Sequence, residues 1–215
     1  SLQIPVIKTD WHRYAVDLNR LPADIDKSSV EGAASDSGFE RGFHWVVTTF
    51  KETLIKKPMS FDTHDKLKNL IYEPFHKQVR DQYAELRKQT NRQTIYHIDL
   101  HSMPSLGTSM HLDPGETRAD IVISDCNQKS CSLAFRDLVI AAYASAGFKV
   151  GYNWPYKGGR LTEEYGKPQI GQQVIQVEMS RALYMNEETK KINSDIQKVS
   201  QKLKTALGYI LAHLP

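Results

Sequence analysis

The stretch HIDLHSMPS, from His97 to Ser105, sets His97, Asp99 and His101 at alternate positions, and alternate residues of a strand share one face. An imidazole at the end of a strand can reach a cleft and act as a base or a metal ligand, although a lone histidine is more often simply hydrogen-bonded. Four residues of strand span ~13 Å, so His97 and His101 cannot share one ion unless the backbone bends sharply. A catalytic zinc needs three protein ligands, and the other histidines, at positions 12, 44, 64, 76, 111 and 213, show no ligand spacing. Spacing alone therefore predicts no metal site.

Two further groups invite chemistry. Glu178 lies in QVIQVEMSRALYM between Val177 and Met179, where a carboxylate is costly unless it is paired or used. Its two readings are a salt bridge to Arg181 and a proton-transferring role. Asn19 and Arg20 close the segment AVDLNR, and a guanidinium fork beside an amide suits a carboxylate bound through both oxygens. An ordinary surface arginine is the plainer alternative.

The elements that must hold these groups follow from periodicity. Strands are predicted at IPVIK, YAVDL, TIYHIDL, ADIVIS, FKVGY and QVIQVEM, all rich in β-branched and aromatic residues. Helices are predicted between Gly38 and Lys56, Phe61 and Asn91, Cys131 and Gly147, and Asn186 and His213, with Gly147 as the stop of the third. In the last, Ile192, Ile196, Val199, Leu203, Leu207, Ile210 and Leu214 make one apolar stripe that should pack on a sheet. Short apolar runs alternating with helical segments give an α/β fold. No repeat or linker divides the chain, so one domain over residues 1–215 is expected.

Open α/β sheets bind ligands beyond the carboxyl ends of their strands. Two loops lie in such places, Ser102 to Ala119 and Asn153 to Gly166. The Gly158-Gly159 pair in the second permits close backbone approach or a positive φ, and an ordinary surface turn is the alternative.

Composition sets the outer bounds. The 215 residues are 40% hydrophobic and 25% charged, enough for a substantial core. The formal charge of +3 comes from scattered residues and leaves no nucleic-acid footprint. No window approaches the ~18 apolar residues of a membrane span, and the first residues lack the pattern of a signal peptide. Cys126 and Cys131, in CNQKSC, could close a small disulfide loop, with free thiols the expectation.

Taken in order, RYAVDLNR, IDLHSMPS, ADIVISDCNQKSC, NWPYKGGRLTEEYGKP and QVIQVEMSRALYM resemble the N-formylglutamate amidohydrolases, within the wider group of zinc carboxypeptidase-like hydrolases. The resemblance runs from about Arg13 to Met185. It implies a three-layer α/β sandwich with a central mixed sheet, one zinc ion, and hydrolysis of a small N-acyl amino acid such as N-formyl-L-glutamate. It carries His101 over as a zinc ligand, Glu178 as the general base and Asn19 with Arg20 as binders of a substrate carboxylate. Arg13 stands near the place of a carbonyl-polarising arginine, and Tyr156, Gly158 and Gly159 would form pocket wall. A cytoplasmic location goes with the family, while oligomeric state stays open.

The same resemblance implies a further segment ahead of DLNR, with a PHSG-like histidine and a downstream acid that complete the zinc site. Neither occurs here, so the expectation is a chain lacking that segment, with His12 a remote substitute ligand. Two rival readings follow: a zinc peptidase or amidase acting on a peptide or cell-wall amide, and a metal-free binding protein that keeps the carboxylate site.

Overall fold

A computed structural model describes residues 4–33, 39–90 and 94–215. They fall into two compact units, residues 94–215 and residues 4–33 with 39–90.

The first unit is an α/β fold around a mixed four-stranded sheet ordered β1-β4-β2-β3. Strand β1 spans Ile95–Met103, β2 Ile121–Ser124, β3 Val150–Tyr152 and β4 Gln172–Ser180. β1 runs parallel to β4, β4 antiparallel to β2, and β2 parallel to β3. Because side chains alternate, one face gathers Ile98, Ile121, Ile123, Ile175 and Val177. Against it pack helices α3 (Leu133–Ser145) and α5 (Ile196–Ala212) through Phe135, Val139, Tyr143, Val199, Ala206 and Ile210.

Local chemistry starts and stops these helices. The Ser132 side chain caps α3 by accepting from the Phe135 N–H at 3.3 Å, and Gly147 takes φ +83° just past its end. The helix predicted from Asn186 begins only at Ile196. The Asn186 side chain instead accepts from the backbone N–H groups of Glu188 and Thr189, forming a turn that leaves Ile192 68% exposed.

In the second unit, α1 (Phe61–Leu67) and α2 (Glu73–Thr90) are joined by a π-helical turn over Lys68–Tyr72. Pro74 is the second residue of α2. It has no N–H to give and its ring crowds the preceding turn, and the widened turn accommodates both. The predicted helix thus holds in substance, with its last residue, Asn91, outside the described residues. A small core of Val16, Phe43, Ile71 and Tyr72 supports the unit.

Three predicted elements are not formed. Residues 4–8 carry no strand, and YAVDL is a series of turns, with Ala15 N–H on the His12 carbonyl and Arg20 N–H on that of Asp17. In place of a helix over 38–56, residues 39–56 hold bends and the isolated bridges Arg41↔Trp45 and Val47↔Thr53, Gly38 lying outside the described residues. The run Val46-Val47-Thr48-Thr49 and the positive φ of Lys51 (63°) both oppose a helix there.

Candidate active site

The register that builds the sheet also builds a polar face. His101 of β1 is the lateral partner of Glu178 on β4, and Asp99 that of Gln176. Adjacent strands lie ~4.8 Å apart, so imidazole and carboxylate rise side by side from neighbouring backbones. Glu178 is only 6% exposed, and Gln176, Asp99 and Ser124 on this face are also buried. One face of the sheet is therefore hydrocarbon and the other concentrates groups that are expensive to bury.

Contacts within the face orient each group. Asp99 accepts from His101 Nε2 at 2.9 Å, which fixes the ring and leaves Nδ1 as the lone-pair nitrogen of the neutral imidazole. Gln176 Nε2 donates to Glu178 Oε1 at 3.1 Å. The sequence offered Arg181 as a partner for Glu178, but Arg181 Nε lies 3.6 Å from Glu187 instead. Burial pushes the His97 imidazole toward its neutral form, against the pull of Asp99. His101 was expected at the strand end, yet β1 continues to Met103.

Beyond β1 the chain folds back on itself. Leu106 bridges Thr117, and Arg118 N–H donates to the Ser105 carbonyl at 2.9 Å. This closure buries an ion pair that the sequence reading did not single out. Arg118 Nε and Nη2 each lie 2.7 Å from an oxygen of Asp113, and both side chains are 1% exposed. Arg118 Nη1 donates to the Pro104 carbonyl at 3.2 Å and to the Tyr156 hydroxyl at 3.0 Å. The Tyr156 phenol is pushed up by burial, held down by Arg118 and raised again by the charge of Glu178, which places all three in one electrostatic neighbourhood. A signal was present in the sequence: the turn-forming DPG holds an acid and an arginine five residues apart in a loop after a strand.

Tyr156 and the glycines after it face different surroundings. The Ser124 hydroxyl donates to the Tyr156 carbonyl at 2.8 Å and pins this segment to β2, just past the cis Trp154-Pro155 bond. Gly158 has φ +124°, and a Cβ there would stand 2.5 Å from Cys126 Sγ, so both the positive φ and the close approach are present. Gly158 lines a cleft of about 400 Å³ with Cys126, Lys129, Lys157 and Glu163, a lining that includes neither His101 nor Glu178. Gly159 precedes a short helix, α4 (Arg160–Tyr165), in a stretch where the sequence predicts a loop. Cys126 and Cys131 are free thiols.

In the other unit, Asp17 organises the remaining candidates. It is 2% exposed and accepts from Arg13 Nη2 at 3.0 and 3.2 Å, from Trp45 Nε1 at 2.9 Å and from the Asn19 backbone at 3.0 Å. Arg13 also lies over the Trp45 ring, 5.0 Å from its centroid. Arg20 donates from Nη1 to the Asn19 carbonyl and from Nε to that of Arg41, which fixes the plane of its guanidinium.

A zinc ion fits these residues only in part. His101 offers one nitrogen, and among the described residues no three His, Cys, Asp or Glu side chains gather as a metal site requires. The described residues do not by themselves make the zinc centre that the resemblance implies. Among them, too, no helix is long and apolar enough to cross a membrane.

Comparison with known proteins gives a consistent answer. The profile of the N-formylglutamate amidohydrolase family matches residues 1–185. The N-formylglutamate deformylase of Pseudomonas aeruginosa is 26% identical over 193 residues, covering 87% of this chain and 67% of that protein. The crystal structure of N-formylglutamate amidohydrolase from Ralstonia eutropha matches with a TM-score of 0.81 at 24% identity, over 93% of this chain and 73% of the other. A gene product of Agrobacterium tumefaciens matches with a TM-score of 0.64 at 20% identity, over 93% and 68%. At these identities the two solved structures speak for the fold, an α/β architecture with a mixed sheet.

Proposed function

The chain belongs to the N-formylglutamate amidohydrolase family, whose members hydrolyse amide bonds, and from that premise we propose that it cleaves a small N-acyl amino acid such as N-formyl-L-glutamate to glutamate and formate. The observation that carries this reading is Glu178, a buried carboxylate set laterally beside His101 on the polar face of the sheet.

A buried carboxylate flanked by an amide donor is suited to proton transfer. Glu178 takes a proton from the water that attacks the formyl carbon and returns it to the amine nitrogen as the C–N bond breaks. Its contact with Gln176 holds one oxygen in place, and the other serves the exchange. The His101 ring, oriented by Asp99, faces the same side. Arg20 and Asn19 are the proposed binders of the substrate carboxylate, and the bonds that fix the Arg20 plane support a two-oxygen contact. Arg13 is proposed to polarise the carbonyl. Zinc remains part of the proposal as the metal to which His101 contributes a ligand.

Formate release from N-formyl-L-glutamate, followed with and without added zinc, tests the reading. Glu178→Gln should lower turnover by about 10²- to 10⁴-fold, and His101→Ala should lose both activity and bound zinc. Turnover unchanged in Glu178→Gln would remove the assigned base and with it the reading.

A further inference from the structure

The Asp113–Arg118 pair is more elaborate than loop closure requires. Both side chains are 1% exposed, and burying two charges costs enough that a well-packed apolar pair would hold a loop equally well. What an apolar pair could not do is direct a hydroxyl. Arginine carries only donors, so in the 3.0 Å contact Arg118 Nη1 donates and the Tyr156 oxygen accepts. The phenolic proton is thereby excluded from the Arg118 direction and is presented elsewhere.

Both ends of Tyr156 are held. Its carbonyl accepts from the Ser124 hydroxyl at 2.8 Å, and its ring lies 5.2 Å from the Arg118 guanidinium carbon and edge-on to His111 at 6.5 Å. The guanidinium is fixed in turn by Asp113 through both oxygens and by the Pro104 carbonyl. A phenol pinned in this way cannot turn its proton freely, and Ser124, which holds its carbonyl, is the register partner of Gln176 on the same face as Glu178. Such a fixed donor costs no reorganisation when negative charge develops on a nearby oxygen.

We propose that Arg118, anchored by Asp113, is a positioning residue that holds the Tyr156 hydroxyl as a hydrogen-bond donor to the oxygen of the amide under attack, on the Glu178 side of the site. The proposal rests on the hydrolase reading above. It goes beyond a pocket-wall role for Tyr156 by giving its hydroxyl a direction and naming the pair that sets it.

Two measurements on the full chain test it, and only one needs turnover. In the first, 3-fluorotyrosine is incorporated and the Tyr156 signal is identified by ¹⁹F NMR as the resonance missing from Tyr156→Phe. Its titration midpoint should fall in Glu178→Gln and rise in the Asp113→Asn/Arg118→Met double variant, which leaves no buried charge unpaired. A midpoint that moves in neither overturns the proposal. In the second, Tyr156→Phe should lower kcat for N-formyl-L-glutamate by about 10- to 100-fold with a smaller change in KM. Adding Asp113→Asn/Arg118→Met to Tyr156→Phe should then cost nothing more. Losses that multiply would reduce Arg118 to a loop support and overturn the proposal. If the unmodified chain releases no formate, the hydrolase reading fails by itself, and the titration still judges the clamp.

Discussion

The contrast between Glu178 and Cys126 shows how burial decides what a side chain can do. Both lie in polar surroundings, but Glu178 has an amide donor at 3.1 Å and a lateral imidazole beside it. The Cys126 thiol meets burial first and then the charges of Glu163 and Asp125, which push it up to about 11. Burial and Asp125 push Cys131 up to about 12. Since the thiolate is the nucleophile, neither cysteine should react readily at neutral pH. Iodoacetamide labelling of the folded chain at pH 7.5 should be slow at both positions and become fast only in denaturant. Rapid labelling of Cys126 in the folded state would show that the cleft at Gly158 supplies a stabilising charge to the thiolate.

At the level of elements, the sequence was legible where one local rule applied and was not contested. The strands β1 to β4 are visible as β-branched and aromatic runs, and in β1 and β4 polar and apolar positions also alternate, as Asp99, His101, Gln176 and Glu178 do against Ile98, Ile175 and Val177. YAVDL has the same surface pattern, but the Asp17 carboxylate draws in three donors and the chain turns around it. That competition depends on Trp45, 28 residues further along the chain, which no short window reveals. His101 and Glu178 stand out in the sequence by strand position and burial cost, their roles come from the resemblance, and their pairing is visible only through strand register. The Asp113–Arg118 pair is hard to read in the sequence because its two charges meet only when the loop closes on itself through Leu106 and Thr117. Gly107 makes that turn tight: a Cβ there would stand 1.7 Å from the Asp113 carbonyl oxygen, an atom of rigid backbone. Gly107→Ala should cost about 1–3 kcal/mol by overpacking and should displace Asp113 from Arg118. Urea denaturation reads the first effect, and the Tyr156 ¹⁹F shift reads the second. A variant as stable as the parent with an unmoved Tyr156 signal would mean that the loop has room the structure does not show.

Considered as a whole, the molecule keeps a pair of imidazoles where a charge is least welcome. His44 is 0% exposed and His64 5%, and both belong to the unit with Val16 and Phe43 at its core. His44 Nδ1 donates to the Ala15 carbonyl at 3.1 Å, so its Nε2 must accept from His64 Nδ1, 3.0 Å away. This chain of bonds requires the His44 ring to be neutral, because a proton on its Nε2 would face the His64 N–H. Burial pushes His44 down to about 4, opposed by the Ala15 carbonyl and aided by His64. Burial also lowers His64, with Asp65 raising it and Lys68 lowering it. The sign of the pH effect follows. Unfolded, His44 takes up a proton near 6.5, and folded it does not, so its stabilisation is complete above that pH and is lost as pH falls from 6.5 toward 4. The urea midpoint should decline through that window, before most carboxylates titrate. His44→Gln keeps one donor and one acceptor but removes the titration, and its proton uptake on unfolding should be smaller by up to one proton. If His44→Gln shows the same pH dependence as the parent chain, the acid sensitivity originates elsewhere and the neutral His44 ring is not its source.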